Sequence, residues 1–499
     1  MRTGVRAWAS FAAVAAITAG LITGCDAGAK NSNAAIPWCP TVEGYAVDCG
    51  SVSRALIEGR PDLGTVDVGY ARIKNRGAGP AAGTILPNPG GPGVPMISHA
   101  AEAVQVTADL LADHDVLLID PRGTGVSGAI DCGVGADEFQ LGTRAQQRDA
   151  VARCADRLGD RAAAYTTAAT VDDFDAVRAK LGIDKVIPYG ISYGTFLMPV
   201  YAQRHPEAIA SMVLTGAYAS DHDPLQRPNA AAVSLALQRI CDRSRACDGA
   251  TAVEDLRTVA ARLREHPLPV AAKQPVVVDE AKLATLVFEA ATSSVGAAPQ
   301  SMTPLGMLPA ALHAAVRGDD AGLTEFVRLT TEEPAYENIG LYMTLSCNDY
   351  PPLWSREAAL PERERQFRQR VAAAAGEFGA FSAEGFVAGQ RDGGDVCLRW
   401  PGIAGHQRPD QVTTPMPDIP VLVLSGDLDA VTPDANGKQL AAKFARSTFI
   451  SVPNTGHVPD LEPSGCVSGI VARFVRTGTV QGAECVASVP PIVVAPVTN

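Results

Sequence analysis

Between an apolar run, Lys185 to Tyr189, and a helix-forming segment, the chain carries Gly190-Ile191-Ser192-Tyr193-Gly194. A strand that passes into a helix through G-x-S-x-G must turn sharply and hold its serine in a strained conformation. Small residues on either side let the backbone fold back without a clash. The pentapeptide alone is a weak signal; the strand before it and the helix after it make it a strong one.

The surrounding chain has the rhythm that such a turn requires. Val66 to Ile73 alternates in polarity, Gly83 to Leu86 is a short apolar run stopped by the Pro/Gly-rich Pro87 to Pro95, and Glu102 to Leu111 has helical spacing. Val116 to Ile119 reads as a buried strand, Val171 to Leu181 as an amphipathic helix, and Ser211 to Leu214 as the strand after the turn. The βαβα order predicts a parallel sheet with helices on both faces. The rhythm breaks near Asp221. From Pro228 to about Pro401 the segments are mostly helical: Ala230–Arg243, Val253–Glu265, Glu280–Ser293, Met307–Arg317 and Glu357–Ala375. One short apolar run, Val276–Val278, interrupts them, and the whole reads as an inserted helical cap. The α/β pattern returns with Pro420–Leu424, Ala435–Phe444, Thr448–Val452 and Cys466–Val475.

A serine hydroxyl needs a base to become nucleophilic, and the base needs an orienting acid. In an α/β hydrolase both follow the serine in the chain, in loops after late strands. His457 is the histidine that follows the last predicted strand. Asp427 and Asp429 follow the strand before it, and Asp429, deeper in its loop, is the preferred acid. A calcium loop at Asp427-x-Asp429 would require further spaced oxygen ligands that the segment lacks. The oxyanion of an acyl-transfer intermediate requires two amide donors. Tyr193 N–H follows the nucleophile, and the loop Asn88-Pro89-Gly90-Gly91-Pro92-Gly93 offers Gly91 N–H as the second.

Taken together, Asn88–Gly93, Asp120-Pro121-Arg122-Gly123-Thr124-Gly125-Val126-Ser127, Gly190–Thr195, Asp429-Ala430-Val431-Thr432-Pro433 and Gly456-His457 resemble the tripeptidyl aminopeptidase family. These are exported actinobacterial α/β hydrolases related to proline iminopeptidases, and they include cell-envelope carboxylesterase A proteases. The resemblance spans about residues 36 to 480, including Ser346-Cys347-Asn348-Asp349 and Cys397-Leu398-Arg399-Trp400-Pro401 in the cap. It implies an α/β-hydrolase fold with a mainly helical cap and the triad Ser192–Asp429–His457. It also implies a peptidase that releases short peptides from N-termini through an acyl-enzyme, with no cofactor and no metal. A carboxylesterase or lipase acting on envelope esters is the alternative, because one triad serves both bonds. A non-catalytic binding lipoprotein is the third reading, and the complete triad argues against it. Residues 120–127 are expected to form a structural turn, with Arg122 paired locally. Relatives place amine-binding acids in the cap; here Asp349, beside Cys347, is the candidate.

The first 25 residues read as a targeting segment. Arg2 and Arg6 precede an apolar stretch from Trp8 to Ile22, and Leu21-Ile22-Thr23-Gly24-Cys25 resembles a bacterial lipobox, in which Cys25 is acylated and becomes the mature N-terminus. The expected organisation is a signal peptide over 1–24, a tether over 25–36 and a hydrolase core over 37–221. A cap follows over 222–410, then the rest of the core over 411–485 and a tail over 486–499. Ten cysteines remain, an even number, which in an exported chain reads as disulfides. Nearest-neighbour pairing is the default: Cys39–Cys49, Cys132–Cys154, Cys241–Cys247, Cys347–Cys397 and Cys466–Cys485. A net charge of −12, without a Lys/Arg-rich run, argues against nucleic acid as a partner. The expected partners are a peptide or protein substrate and a membrane reached through the lipid, outside the cytoplasm.

Overall fold

The computed structural model describes residues 36–498 apart from 220–221, 293–294, 332–337, 391–393 and 404. The signal segment, Cys25 and most of the tether lie outside the described residues.

Eight strands form one sheet: β1 (Val47–Ala55), β2 (Thr65–Ile73), β3 (Gly83–Asn88), β4 (His114–Ile119), β5 (Ile187–Ile191), β6 (Met212–Thr215), β9 (Pro420–Gly426) and β10 (Arg446–Val452). A separate hairpin in the cap pairs β7 (Leu268–Val270) with β8 (Val276–Val278). The order across the sheet is β1-β2-β4-β3-β5-β6-β9-β10. β2 runs antiparallel to β1 and β4, and every other pairing is parallel. β4 and β5 are buried at every position, as strands covered on both faces must be. One face packs Phe174 and Val177 of the helix Thr167–Lys180 and Leu197 and Tyr201 of the helix Gly194–Arg204. The other packs Ala100 and Ala103 and, from the closing helix Cys466–Thr477, Ile470 and Phe474.

A third core belongs to the cap. Its helices between residues 222 and 410 are Arg227–Ser244, Gly249–Glu265, Glu280–Ala290, Pro304–Val316, Ala321–Thr330, Ile339–Asp349, Leu360–Ala373 and Ala383–Gly389. The apolar packing does not follow the expected boundaries. Phe139, Val151 and Cys154, upstream of the nucleophile, join the cap core, and so do Ile492 and Val494 of the tail. The tail crosses from core to cap: Asn454 Nδ2 donates to Val489 O at 2.7 Å, and Ala495 N–H donates to Gly306 O at 2.9 Å.

Among the described residues five disulfides are formed: Cys39–Cys49, Cys132–Cys154, Cys241–Cys247, Cys347–Cys397 and Cys466–Cys485. Among the described residues no helix is long and apolar enough to cross a membrane.

Candidate active site

Ser192 stands between the end of β5 and the helix Gly194–Arg204 with φ of 57°, a left-handed conformation that costs about 1–3 kcal/mol for a residue with a Cβ. The neighbours explain the glycines. A Cβ at Gly190 would fall 2.4 Å from Gly194 O, and one at Gly194 would fall 2.4 Å from Asn88 O. Hydrogen bonds hold the strained residue in place. Ser192 N–H donates to Thr215 O at 3.0 Å, and Thr195 Oγ1 donates to Ser192 O at 2.6 Å while accepting Tyr218 N–H at 2.8 Å.

The acid and the histidine meet where β9 and β10 end side by side. His457 Nδ1 lies 2.9 Å from Asp429 Oδ2. Asp429 has almost no exposure, and its other oxygen accepts Val431 N–H at 2.7 Å and Thr432 N–H at 3.0 Å. Thr432 Oγ1 donates to Asp429 Oδ2 at 2.5 Å and sits 3.0 Å from His457 Nδ1, so it braces both members of the pair. Three donors besides the imidazole thus meet the two oxygens of the carboxylate. The pair reaches the elbow through β6: Gly216, next to Thr215, lies so close to His457 that a Cβ there would fall 3.3 Å from Nδ1. Burial disfavours a charge on His457, but the charge and hydrogen bond of Asp429, and then Glu289, outweigh it and raise its pKa above the ordinary value.

Asp427 is engaged elsewhere. Its carboxylate pairs with Arg243 of the cap at 2.5 Å and accepts Asn454 N–H at 2.8 Å.

The loop after β3 closes over the nucleophile. A Cβ at Gly90 would fall 2.7 Å from Tyr193 N and 2.9 Å from Ser192 Cβ. Gly90 N–H is taken by Asn88 Oδ1 at 3.1 Å. Among the described residues no acceptor meets the amides of Gly91 or Tyr193. Thr124 Oγ1 anchors the loop by donating to Gly93 O at 3.1 Å.

Two expectations are corrected. Arg122 does not pair locally; it makes a buried bidentate ion pair with Asp173, both contacts at 2.7 Å, and donates to Leu56 O and Ala164 O. Asp349 is not an amine receptor. It is fully buried at the end of the helix Ile339–Asp349, where Oδ2 accepts Thr167 N–H at 2.5 Å and Thr167 Oγ1 at 2.6 Å. Its Oδ1 is 2.9 Å from His406 Nε2, so both oxygens are spent inside the protein. Thr167 gives its proton to Asp349, and the Tyr193 hydroxyl at 2.7 Å therefore donates to Thr167. Asp349 thus stands behind the ring of the proposed oxyanion residue.

Thr432 and Glu289 were not singled out from the sequence. Thr432 lies in the segment quoted for the acid, and a hydroxyl three residues after a carboxylate is the local signal that marks it. Glu289, in the last turn of the cap helix Glu280–Ala290, has no such signal. The fold brings it near His457 because the segment that follows it docks on the catalytic loop, with Gly456 N–H donating to Val295 O at 3.0 Å.

The family described as alpha/beta hydrolase fold matches residues 83–256, and the family described as TAP-like protein matches residues 385–486. The serine protease Hip1 of Mycobacterium tuberculosis (strain ATCC 25618 / H37Rv) is 27% identical over 522 aligned positions, covering 96% of this chain and 97% of that protein. The tripeptidyl aminopeptidase of Streptomyces lividans is 25% identical over 490, covering 91% and 86%. Carboxylesterase B of Mycobacterium tuberculosis (strain CDC 1551 / Oshkosh) is 28% identical over 473, covering 86% and 84%. With a strained serine on the elbow and an aspartate–histidine pair beside it, the chain has the α/β-hydrolase fold, is a peptidase-like serine hydrolase, and is similar to the tripeptidyl aminopeptidase-related proteins.

Proposed function

We propose that this chain is an exported, lipid-anchored peptidase that releases short peptides from the N-termini of its substrates. The observation that carries the chemistry is the Asp429–His457 hydrogen bond beside a strained Ser192. His457 Nε2 takes the Ser192 proton as Oγ attacks the scissile carbonyl, and Asp429 holds the imidazole in the required tautomer and stabilises its charged form. The amides of Gly91 and Tyr193 receive the oxyanion, worth about 2.7–4 kcal/mol for each donor. His457 then protonates the leaving amine, and water attacks the acyl-enzyme by the same route in reverse.

The Hip1 and tripeptidyl aminopeptidase relatives support a peptide substrate. The lipobox-like Leu21–Cys25 supports the anchor, and the five disulfides support an oxidising compartment. The carboxylesterase B relative supports ester hydrolysis as the second reading.

The test is titration with a fluorophosphonate, followed by parallel assays on free and N-acetylated peptide substrates and on acyl esters. The wild-type protein should be labelled at Ser192, Ser192→Ala should not, and the free peptide should be preferred. Equal cleavage of the free and acetylated peptides would remove the aminopeptidase reading, and turnover of esters alone would install the esterase in its place.

A further inference from the structure

The triad does not use one carboxyl that lies beside it. Asp460 is the third residue after His457, in the 3-10 turn Pro459–Leu461. The Tyr189 hydroxyl, on β5 three residues before Ser192, donates to its Oδ1 at 2.6 Å. The other oxygen, Oδ2, is enclosed and has no hydrogen-bond partner among the described residues. Thr215 Oγ1 on β6 is enclosed and unpartnered in the same way, although it faces both Asp460 and Tyr189. Thr215 is also the residue whose carbonyl receives the Ser192 amide.

One hydrogen bond between these two enclosed oxygens would satisfy both, its proton carried either by the threonine hydroxyl or by a neutral carboxyl group. An ionised carboxylate enclosed in protein requires several donors, and here the Tyr189 hydroxyl is the one with good geometry. A neutral carboxylic acid changes the count: Oδ1 accepts from Tyr189, and the Oδ2 hydroxyl donates to Thr215 Oγ1. The surroundings favour that form. Burial raises the Asp460 pKa above the ordinary carboxylate value, the Tyr189 hydrogen bond, the nearby Thr215 hydroxyl and the Asp460 backbone amide oppose the rise, and the charge of Glu462 adds to it. Glu462 itself is occupied by Ser464 and by Val467 N–H.

We propose that Asp460 is a positioning residue for His457: a neutral carboxylic acid, bonded to Tyr189 and Thr215, that clamps the catalytic loop onto the two strands that hold the nucleophile. The clamp pins the chain three residues beyond the imidazole, while Asp429 and Thr432 fix the ring from the other side. This role rests on His457 acting as the general base.

The first measurement does not depend on turnover. An infrared difference spectrum of wild-type protein minus Asp460→Asn, at mildly alkaline pH, should contain the carbonyl stretch of a protonated carboxylic acid. Carboxylate bands in its place would overturn the proposal. The second measurement is kinetic. Asparagine can accept from Tyr189 and donate to Thr215, so Asp460→Asn should stay within about threefold of wild type, whereas Asp460→Ala should lose about tenfold to a hundredfold in kcat at little changed KM. Thr215→Val, which keeps the shape and removes the hydroxyl, should lose a similar factor, and the two losses should not multiply in the double variant. An alanine variant with wild-type kcat, or losses that multiply, would refute the clamp. Activity that survives Ser192→Ala would instead refute the triad while leaving the infrared result intact, so the two failures are distinguishable.

Discussion

Asp427 Oδ2 lies 2.5 Å from Arg243 Nη2, which ties the acid two residues before Asp429 to the cap and leaves Asp429 alone against His457. The two carboxylates, two residues apart in one loop, therefore have different work. Asp429→Asn should lower kcat by about four orders of magnitude, because an amide favours the wrong imidazole tautomer. Asp427→Asn should retain most activity and lose about 1–3 kcal/mol of stability, read as a lower midpoint in denaturant. A reversed ranking of the two variants would reassign the acid.

Asp349 should behave as a structural carboxylate. Asp349→Asn replaces the charged acceptor of both Thr167 donors with a neutral amide and weakens the chain from Tyr193 through Thr167. The expected cost is about 1.5–3 kcal/mol of stability, the range for hydrogen bonds to a charged group. The ratio of kcat/KM for free and N-acetylated peptides should not change. A selective loss on free-amine peptides would restore the amine-receptor role.

The acidic limb of the pH profile should report Glu289. His457 must be neutral to act as base, so kcat/KM falls as pH drops through its folded pKa, which lies above the ordinary value. Burial lowers that pKa, Asp429 raises it, and Glu289 raises it further. Glu289→Gln removes one raising contribution, so the limb should move to lower pH. The profile is measured on an N-blocked ester, so that no substrate amine titrates. A limb that stays in place would mean that Glu289 does not reach His457.

Cys25→Ala should release an active protein from the membrane fraction, because the proposed anchor is separated from the catalytic core by a polar tether. Fractionation followed by fluorophosphonate labelling of the soluble pool measures both properties. Retention in the membrane at the wild-type level would mean that something other than the lipid holds the chain.

Strands with strict apolar runs and helices with one apolar face were readable from the residues, because period and burial coincide there. β1, with Gly50, Ser51 and Ser53 in a half-exposed edge position, has too weak an alternation to stand out. The helix Ile339–Asp349 is buried at every residue, so it has no polar face to mark its period. Helix Arg144–Leu158 shows five buried residues in a strongly polar stretch, and its inward face meets the cap and not the sheet.

The elbow, the order Ser–Asp–His and the oxyanion loop are local statements about turns, and a turn is written in the residues that make it. Ser192 must be flanked by glycines whatever the rest of the chain does, and His457 must follow the last strand. Which carboxylate faces His457 is a different kind of fact. Asp427 and Asp429 differ in role because Arg243, nearly two hundred residues upstream, reaches one of them, and Asp349 is spent on Thr167, a partner equally remote in the chain. Hydrogen bonds and burial depend on distances that the folded chain sets, so loop position was enough to favour Asp429, while the tertiary structure alone decided what Asp427 and Asp349 hold together.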